Sequence, residues 1–108
     1  MKLEGIYETE NSLYLCVEYL QGGILYDKIK KRHKFTAEEL KCVMRSILEG
    51  VAVMHEKRIM HRDLKPENIM LRDEEGWECV IGDFGLATHA DVKDYIYTRC
   101  GTPGYVAP

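Results

Sequence analysis

The residues most able to do chemistry lie in the second half of the sequence. The stretch His61-Arg62-Asp63-Leu64-Lys65-Pro66-Glu67-Asn68 places a carboxylate, an ammonium and an amide within six positions, and Asp83 follows twenty residues after Asp63 in the run Asp83-Phe84-Gly85. Transfer of a phosphoryl group to a hydroxyl needs such a set, because its loose transition state leaves the protein mainly to position groups and neutralise charge. Asp83 offers a carboxylate and Asn68 a side-chain carbonyl to magnesium, a hard cation that takes oxygen ligands. Asp63 can accept the proton of an acceptor hydroxyl, a role worth about 10² to 10⁴ in rate. Lys65 adds a positive charge beside the group in transit. Taken alone, Asp63 reads equally well as a turn cap; its neighbours carry the argument. The stretch matches H-R-D-L-x-x-x-N at all its fixed positions, which chance would produce in roughly one chain in thirty thousand of this length.

These side chains need elements to hold them. Residues 13–20 form a short apolar run rich in strand formers, preceded by the turn-like Glu10-Asn11-Ser12, and residues 2–8 read as its antiparallel partner. Gly22-Gly23 breaks the strand, and 24–31 reads as a short helix. A long helix is expected over 37–56. Thr36 and Glu39 form a capping box, and Leu40, Val43, Met44, Ile47, Leu48, Val51 and Met54 follow helical spacing as a core-facing stripe. Asn68–Leu71 and Cys79–Ile81 read as two small strands around a charged, glycine-containing turn, and the chain from Asp83 onward reads as loop.

Bulk properties narrow the class. The chain has 108 residues, 45% hydrophobic and 31% charged, which fits one globular domain at most. A net charge of -3 gives no electrostatic case for nucleic acid or an anionic membrane. The basic run from Lys28 to Lys34 reads as a solvated helix end. No apolar run is long enough to span a bilayer, and no secretory signal pattern opens the chain. The four cysteines are widely spaced with no C-x-x-C pair. Reduced thiols and a cytoplasmic setting, or a nuclear one, follow as the expectation.

Together with Gly101-Thr102-Pro103-Gly104-Tyr105-Val106-Ala107-Pro108, which runs into the start of an A-P-E motif, these stretches identify the resemblance. The sequence resembles eukaryotic protein kinase catalytic domains over essentially its whole length. It looks closest to the Ser/Thr kinases of the calmodulin-dependent and cyclic-nucleotide-dependent groups, and Lys65 with Gly101-Thr102-Pro103 carries the Ser/Thr assignment. The resemblance implies an α+β, kinase-like fold in part: small-lobe strands over 1–17, a hinge over 18–23, large-lobe helices and catalytic loop over 24–82, and a metal-binding motif with activation loop over 83–108. It implies ATP and Mg²⁺ as cofactors and Ser/Thr hydroxyls of proteins as acceptors. Asp63 and Lys65 would be catalytic, and Asn68 and Asp83 metal ligands. Val17 would be the gatekeeper, backbone groups of Glu18 and Leu20 would meet the adenine edge, and Met70 with Leu25 would floor the ring. Leu3, His61 and Phe84 would belong to a hydrophobic spine. Thr98 would be a phosphosite for an upstream kinase, its phosphate pairing with Arg62. The Thr102 hydroxyl would bond within the catalytic loop. Glu67 would be a surface or substrate-facing carboxylate.

The departures matter as well. No G-x-G-x-x-G and no V-A-I-K lysine occur in the 108 residues, and Ile24 stands where related kinases often carry a glutamate after the two glycines. The glycine-rich loop and the lysine grip the nucleotide phosphates, whereas Ile24 in place of the glutamate argues against a ribose contact and against preference for a basic residue upstream of the acceptor. The expectation is therefore a fragment of a kinase domain whose intact protein is active and which alone is inactive or nearly so. The competing reading is a truncated or pseudo-kinase module that binds a partner without catalysis.

Overall fold

The computed structural model describes residues 1–31, 34–92 and 99–106. Its first element is an antiparallel hairpin, β1 (Leu3–Thr9) and β2 (Ser12–Val17), with Ile6 opposite Leu15 and Tyr7 opposite Tyr14. The expected strand over 13–20 stops at Val17, and 18–20 turns away toward the rest of the chain. Ile6, Leu13 and Leu15 are each more than half exposed. Two strands alone bury little. Leu3, expected as a spine residue, is 51% exposed and outside the core cluster.

The long helix α2 (Ala37–Glu56) begins where the capping box requires. The Glu39 amide donates to Thr36 Oγ1 at 3.2 Å, and the Thr36 amide donates to Glu39 Oε2 at 2.6 Å. Two orphan donors of the first turn are thereby satisfied. The apolar stripe, however, splits in two. Val43 and Met54 are buried and Ile47 and Val51 partly so, packed on the strand pair β4 (Ile69–Leu71) and β5 (Cys79–Ile81). Leu40, Met44 and Leu48 lie 48–60% exposed. One residue rotates the side chain by about 100°, so positions 40, 44 and 48 point along the flank of the face that β5 covers. The outer half of the stripe is the part left without a covering helix among the described residues.

Leu25, Ile69, Leu71, Cys79 and Ile81 complete the core. Leu25 opens the short helix α1 (Leu25–Lys30). Phe35 and Trp77 close one side with an edge-to-face contact at 5.2 Å. Two short strands that are too brief for any sequence periodicity, β3 (Ile59–Met60) and β6 (Thr88–His89), pair antiparallel and pin the segment after Asp83 beside the entry to the His61–Asn68 loop. Arg58 reinforces that pairing through a 2.6 Å ion pair with Asp91.

Residues 21–24 lie along β4. The Gln21 amide donates to Arg72 O at 3.1 Å, the Leu71 amide to Gly23 O at 2.8 Å, and Ile24 bridges to Met70. This close approach requires a glycine at 22, where a Cβ would stand 2.3 Å from the Asp73 carbonyl oxygen and 2.5 Å from Leu71 Cβ. Gly23 differs, with a φ of +69° and open space around a Cβ. Gly22→Ala is expected to cost about 1–3 kcal/mol as an overpacked site, and Gly23→Ala only about 1 kcal/mol of backbone strain. Urea denaturation of the two variants checks this; equal losses would show that residues 21–24 do not pack on β4 this way.

Candidate active site

The loop between β3 and β4 holds the candidate catalytic residues, and its geometry begins with His61. The ring is 3% exposed, with Nε2 2.8 Å from the Gly82 carbonyl oxygen and Nδ1 3.3 Å from the Asp63 amide nitrogen. A nitrogen facing a carbonyl must carry the proton and one facing an N–H must accept, so the ring is the neutral Nε2–H tautomer. His61 thus ties the backbone of Asp63 to the residue before Asp83. Its face meets Phe84 edge-on at 5.0 Å.

Asp63 is 9% exposed, and both its carboxylate oxygens are engaged. The Thr102 hydroxyl donates to Oδ1 at 2.6 Å; Lys65 Nζ reaches Oδ2 at 2.9 Å and Asn68 Nδ2 reaches it at 3.2 Å. Asn68 Nδ2 also donates to the Asp63 carbonyl at 2.9 Å. Lys65 Nζ donates to Thr102 Oγ1 at 2.7 Å, closing a ring of aspartate, lysine and threonine. The Thr102 hydrogen bond, followed by the Lys65 ammonium, holds the Asp63 carboxyl down to about 2 against the opposing effect of burial. The Lys65 ammonium is pushed up, first by its bond to Asp63 and further by the carboxylates of Glu67 and Asp83. Lys65 therefore senses three carboxylates at once. Glu67 Oε2 is buried without a hydrogen-bond partner among the described residues.

Thr102 reaches the loop because Gly101, at φ +107°, lets the chain pass where a Cβ would stand 2.8 Å from the Arg62 carbonyl oxygen. Arg62 and Asp83 are themselves left-handed at φ 67° and 53°, uncommon for residues with a side chain. The Arg62 Nε donates to Leu86 O at 2.7 Å, so the loop also holds the segment after Phe84. Thr98 lies outside the described residues.

Asn68 is 7% exposed and spends its amide N–H₂ on Asp63, which leaves the side-chain carbonyl as its acceptor. Asp83 is exposed, its Oδ1 accepting from the Gly85 amide at 3.2 Å. Among the described residues no cluster of three His, Cys, Asp or Glu side chains could hold a metal ion. The Asn68 carbonyl and the Asp83 carboxylate are oxygen donors of the kind magnesium takes, one or two from protein with water and phosphate oxygens completing its shell.

The nucleotide-side expectations divide. Met70 packs over Gly82, where a Cβ would stand 3.0 Å from the Met70 sulfur, and Leu25 is buried in the core below. Val17 is 42% exposed at the end of β2, and the core does not include it. The Glu18 amide donates to Lys2 O at 2.9 Å, and Leu20 is buried. Sequence reasoning passed over Gly82, whose amide donates to Asn68 O at 2.8 Å while its carbonyl holds His61. A lone glycine before an aspartate gives no signal of that role. Sequence reasoning placed the Thr102 hydroxyl within the loop without naming its partners, Lys65 across 37 residues and Asp63 across 39.

Known proteins resemble this chain in sequence and in fold. The model of the protein kinase domain family matches residues 1–108. The chain is 40% identical over its full length to a probable serine/threonine-protein kinase, fhkC, of Dictyostelium discoideum, and spans 18% of that protein. It is 42% identical, again along the whole chain, to the serine/threonine-protein kinase DCLK3 of Homo sapiens, of which it spans 17%. Among solved structures it superposes on the twitchin kinase region of C. elegans with a TM-score of 0.75 and 36% identity, over 84% of this chain and 16% of that one.

The site has a pH signature. The folded-state carboxyl of Asp63 lies below its ordinary 3.8, so the stability it contributes is present above that value and is lost as pH falls through about 2. Thr102→Val removes the largest cause and is expected to move the carboxyl up toward 3.8, with the acid loss beginning at higher pH. A carbon-detected NMR titration of Asp63 reads this directly; a value still near 2 would show that Thr102 is not what holds it.

Proposed function

The chain belongs to the protein kinase domain family, and from that premise we propose that it supplies the acceptor-side catalytic groups of an ATP-dependent Ser/Thr protein kinase. The observation that carries the proposal is the Asp63 carboxylate, held ionised and aimed by Thr102, Lys65 and Asn68. A carboxylate held so low is a weak base toward an alcohol. Its task is to orient the Ser or Thr hydroxyl and to take the proton late, once the acceptor oxygen is bonding to phosphorus. Lys65, bonded to both Asp63 and Thr102, keeps a positive charge beside that exchange. Asn68 and Asp83 would hold Mg²⁺, which when bound neutralises the charge of the phosphates. Backbone groups of Glu18 and Leu20 would read the adenine edge, beside Val17 and above Met70 and Leu25.

Control would run through the segment after Phe84. A phosphate placed on Thr98 by an upstream kinase would add about -1.5 to -2 charges and pair with Arg62, whose side chain already holds Leu86. Four free cysteines suit a reducing compartment, cytoplasm or nucleus.

Steady-state kinetics on a Ser/Thr peptide, with the full-length polypeptide that carries this chain, test the assignment. Asp63→Asn is expected to lower kcat by about 10²- to 10⁴-fold with the KM for ATP unchanged, and Asp83→Ala to abolish magnesium-dependent ATP binding. An Asp63→Asn enzyme with full kcat would remove the proposed base. The 108 residues alone are expected to show no magnesium-dependent peptide phosphorylation.

A further inference from the structure

We propose that Arg72 is a positioning residue for the nucleotide: its guanidinium grips Glu18 and so fixes the backbone segment 18–20 against the end of β4. This rests on the reading of Glu18 and Leu20 as the adenine-contacting backbone. Arg72 Nη1 stands 3.7 Å from Glu18 Oε1, with the two side chains 42% and 27% exposed. The Met1 ammonium approaches the same oxygen at 3.2 Å, and among the described residues Arg72 is the side-chain cation on it.

The backbone around Arg72 gives the ion pair its leverage. The Arg72 amide donates to Glu78 O at 3.0 Å across the β4–β5 hairpin, and its carbonyl accepts from the Gln21 amide at 3.1 Å. The guanidinium therefore springs from a point tied both to the core hairpin and to the far end of the segment it grips. At the near end, the Glu18 amide is bonded to Lys2 O at 2.9 Å. Between Glu18 and Gln21, among the described residues, no other backbone bond ties the segment down. The ion pair fixes the side where the Glu18 carbonyl would meet a base edge. An ion pair of this exposure is weak. Its effect on a flat, hydrogen-bonded ligand comes from orientation, since a tilted carbonyl loses the bond it would make.

Enzyme kinetics with the full-length polypeptide test this. Arg72→Met keeps the aliphatic stem and removes the charge; it is expected to raise the KM for ATP about two- to fivefold with kcat unchanged. Arg72→Lys is expected to stay at the wild-type value, and the swap Glu18→Arg with Arg72→Glu to recover most of the loss that Arg72→Glu alone shows. Melting temperatures are read alongside. A KM for ATP unmoved in Arg72→Met and Arg72→Glu, or a swap that recovers nothing, would overturn the proposal. Val17→Phe separates the two layers of the argument. If it raises the KM for ATP while the Arg72 variants do not, the grip is wrong and the adenine reading stands; if it too has no effect, the adenine reading itself falls.

Discussion

Keeping one carboxylate ionised in a nearly closed position is the constraint that orders this structure. Asp63 is nine-tenths buried, and a buried charge is costly unless donors surround it. Its four hydrogen-bonding neighbours are Thr102 on one oxygen, Lys65 and Asn68 on the other, and the His61 ring beneath its amide. They come from both ends of an interval of 41 residues. Satisfying one side chain therefore forces the segment at 101–102 down onto the loop at 61–68. The glycine at 101 and the left-handed backbone at Arg62 follow from that demand.

Gly82 carries the same logic to the second carboxylate. Its amide and carbonyl bond Asn68 and His61, so the residue before Asp83 has no freedom to drift from the loop. The neutral His61 tautomer links the two carboxylate-bearing segments through one ring, with Phe84 packed against its face. These contacts lie above a small core built from α2 and the β4–β5 hairpin, where Leu71 is fully buried. The core supplies rigidity; the polar bonds supply aim. The β1–β2 hairpin adds no residue to that core, and its apolar residues Ile6, Leu13 and Leu15 stay more than half exposed.

Much of the candidate site was legible beforehand, because the chemistry proposed for it constrains residue type as well as place. Asp63, Asn68 and Asp83 stood out as candidates in one eight-residue stretch and one tripeptide, since few other side chains offer oxygen donors suited to magnesium or to a hydroxyl proton. The long helix was equally open to reading, from its cap and its spacing. Leu3 and the outer half of the α2 stripe are apolar in pattern yet exposed in this chain. Periodicity reports which side chains are apolar, and burial depends on what stands opposite.

Residue types and spacing gave the elements near 25–30, 37–56, 69–71 and 79–81 and the groups suited to the chemistry, and the resemblance of the motifs gave the family. Only the folded chain decided that Thr102 touches both Asp63 and Lys65, that His61 must be the Nε2–H tautomer, that β3 pairs with β6, and that Arg72 reaches Glu18. The physical reason is range. Helical spacing and capping act over a few residues and are written locally, whereas hydrogen bonds spanning 21, 37 or 39 residues exist only once the core has set the distance between their ends.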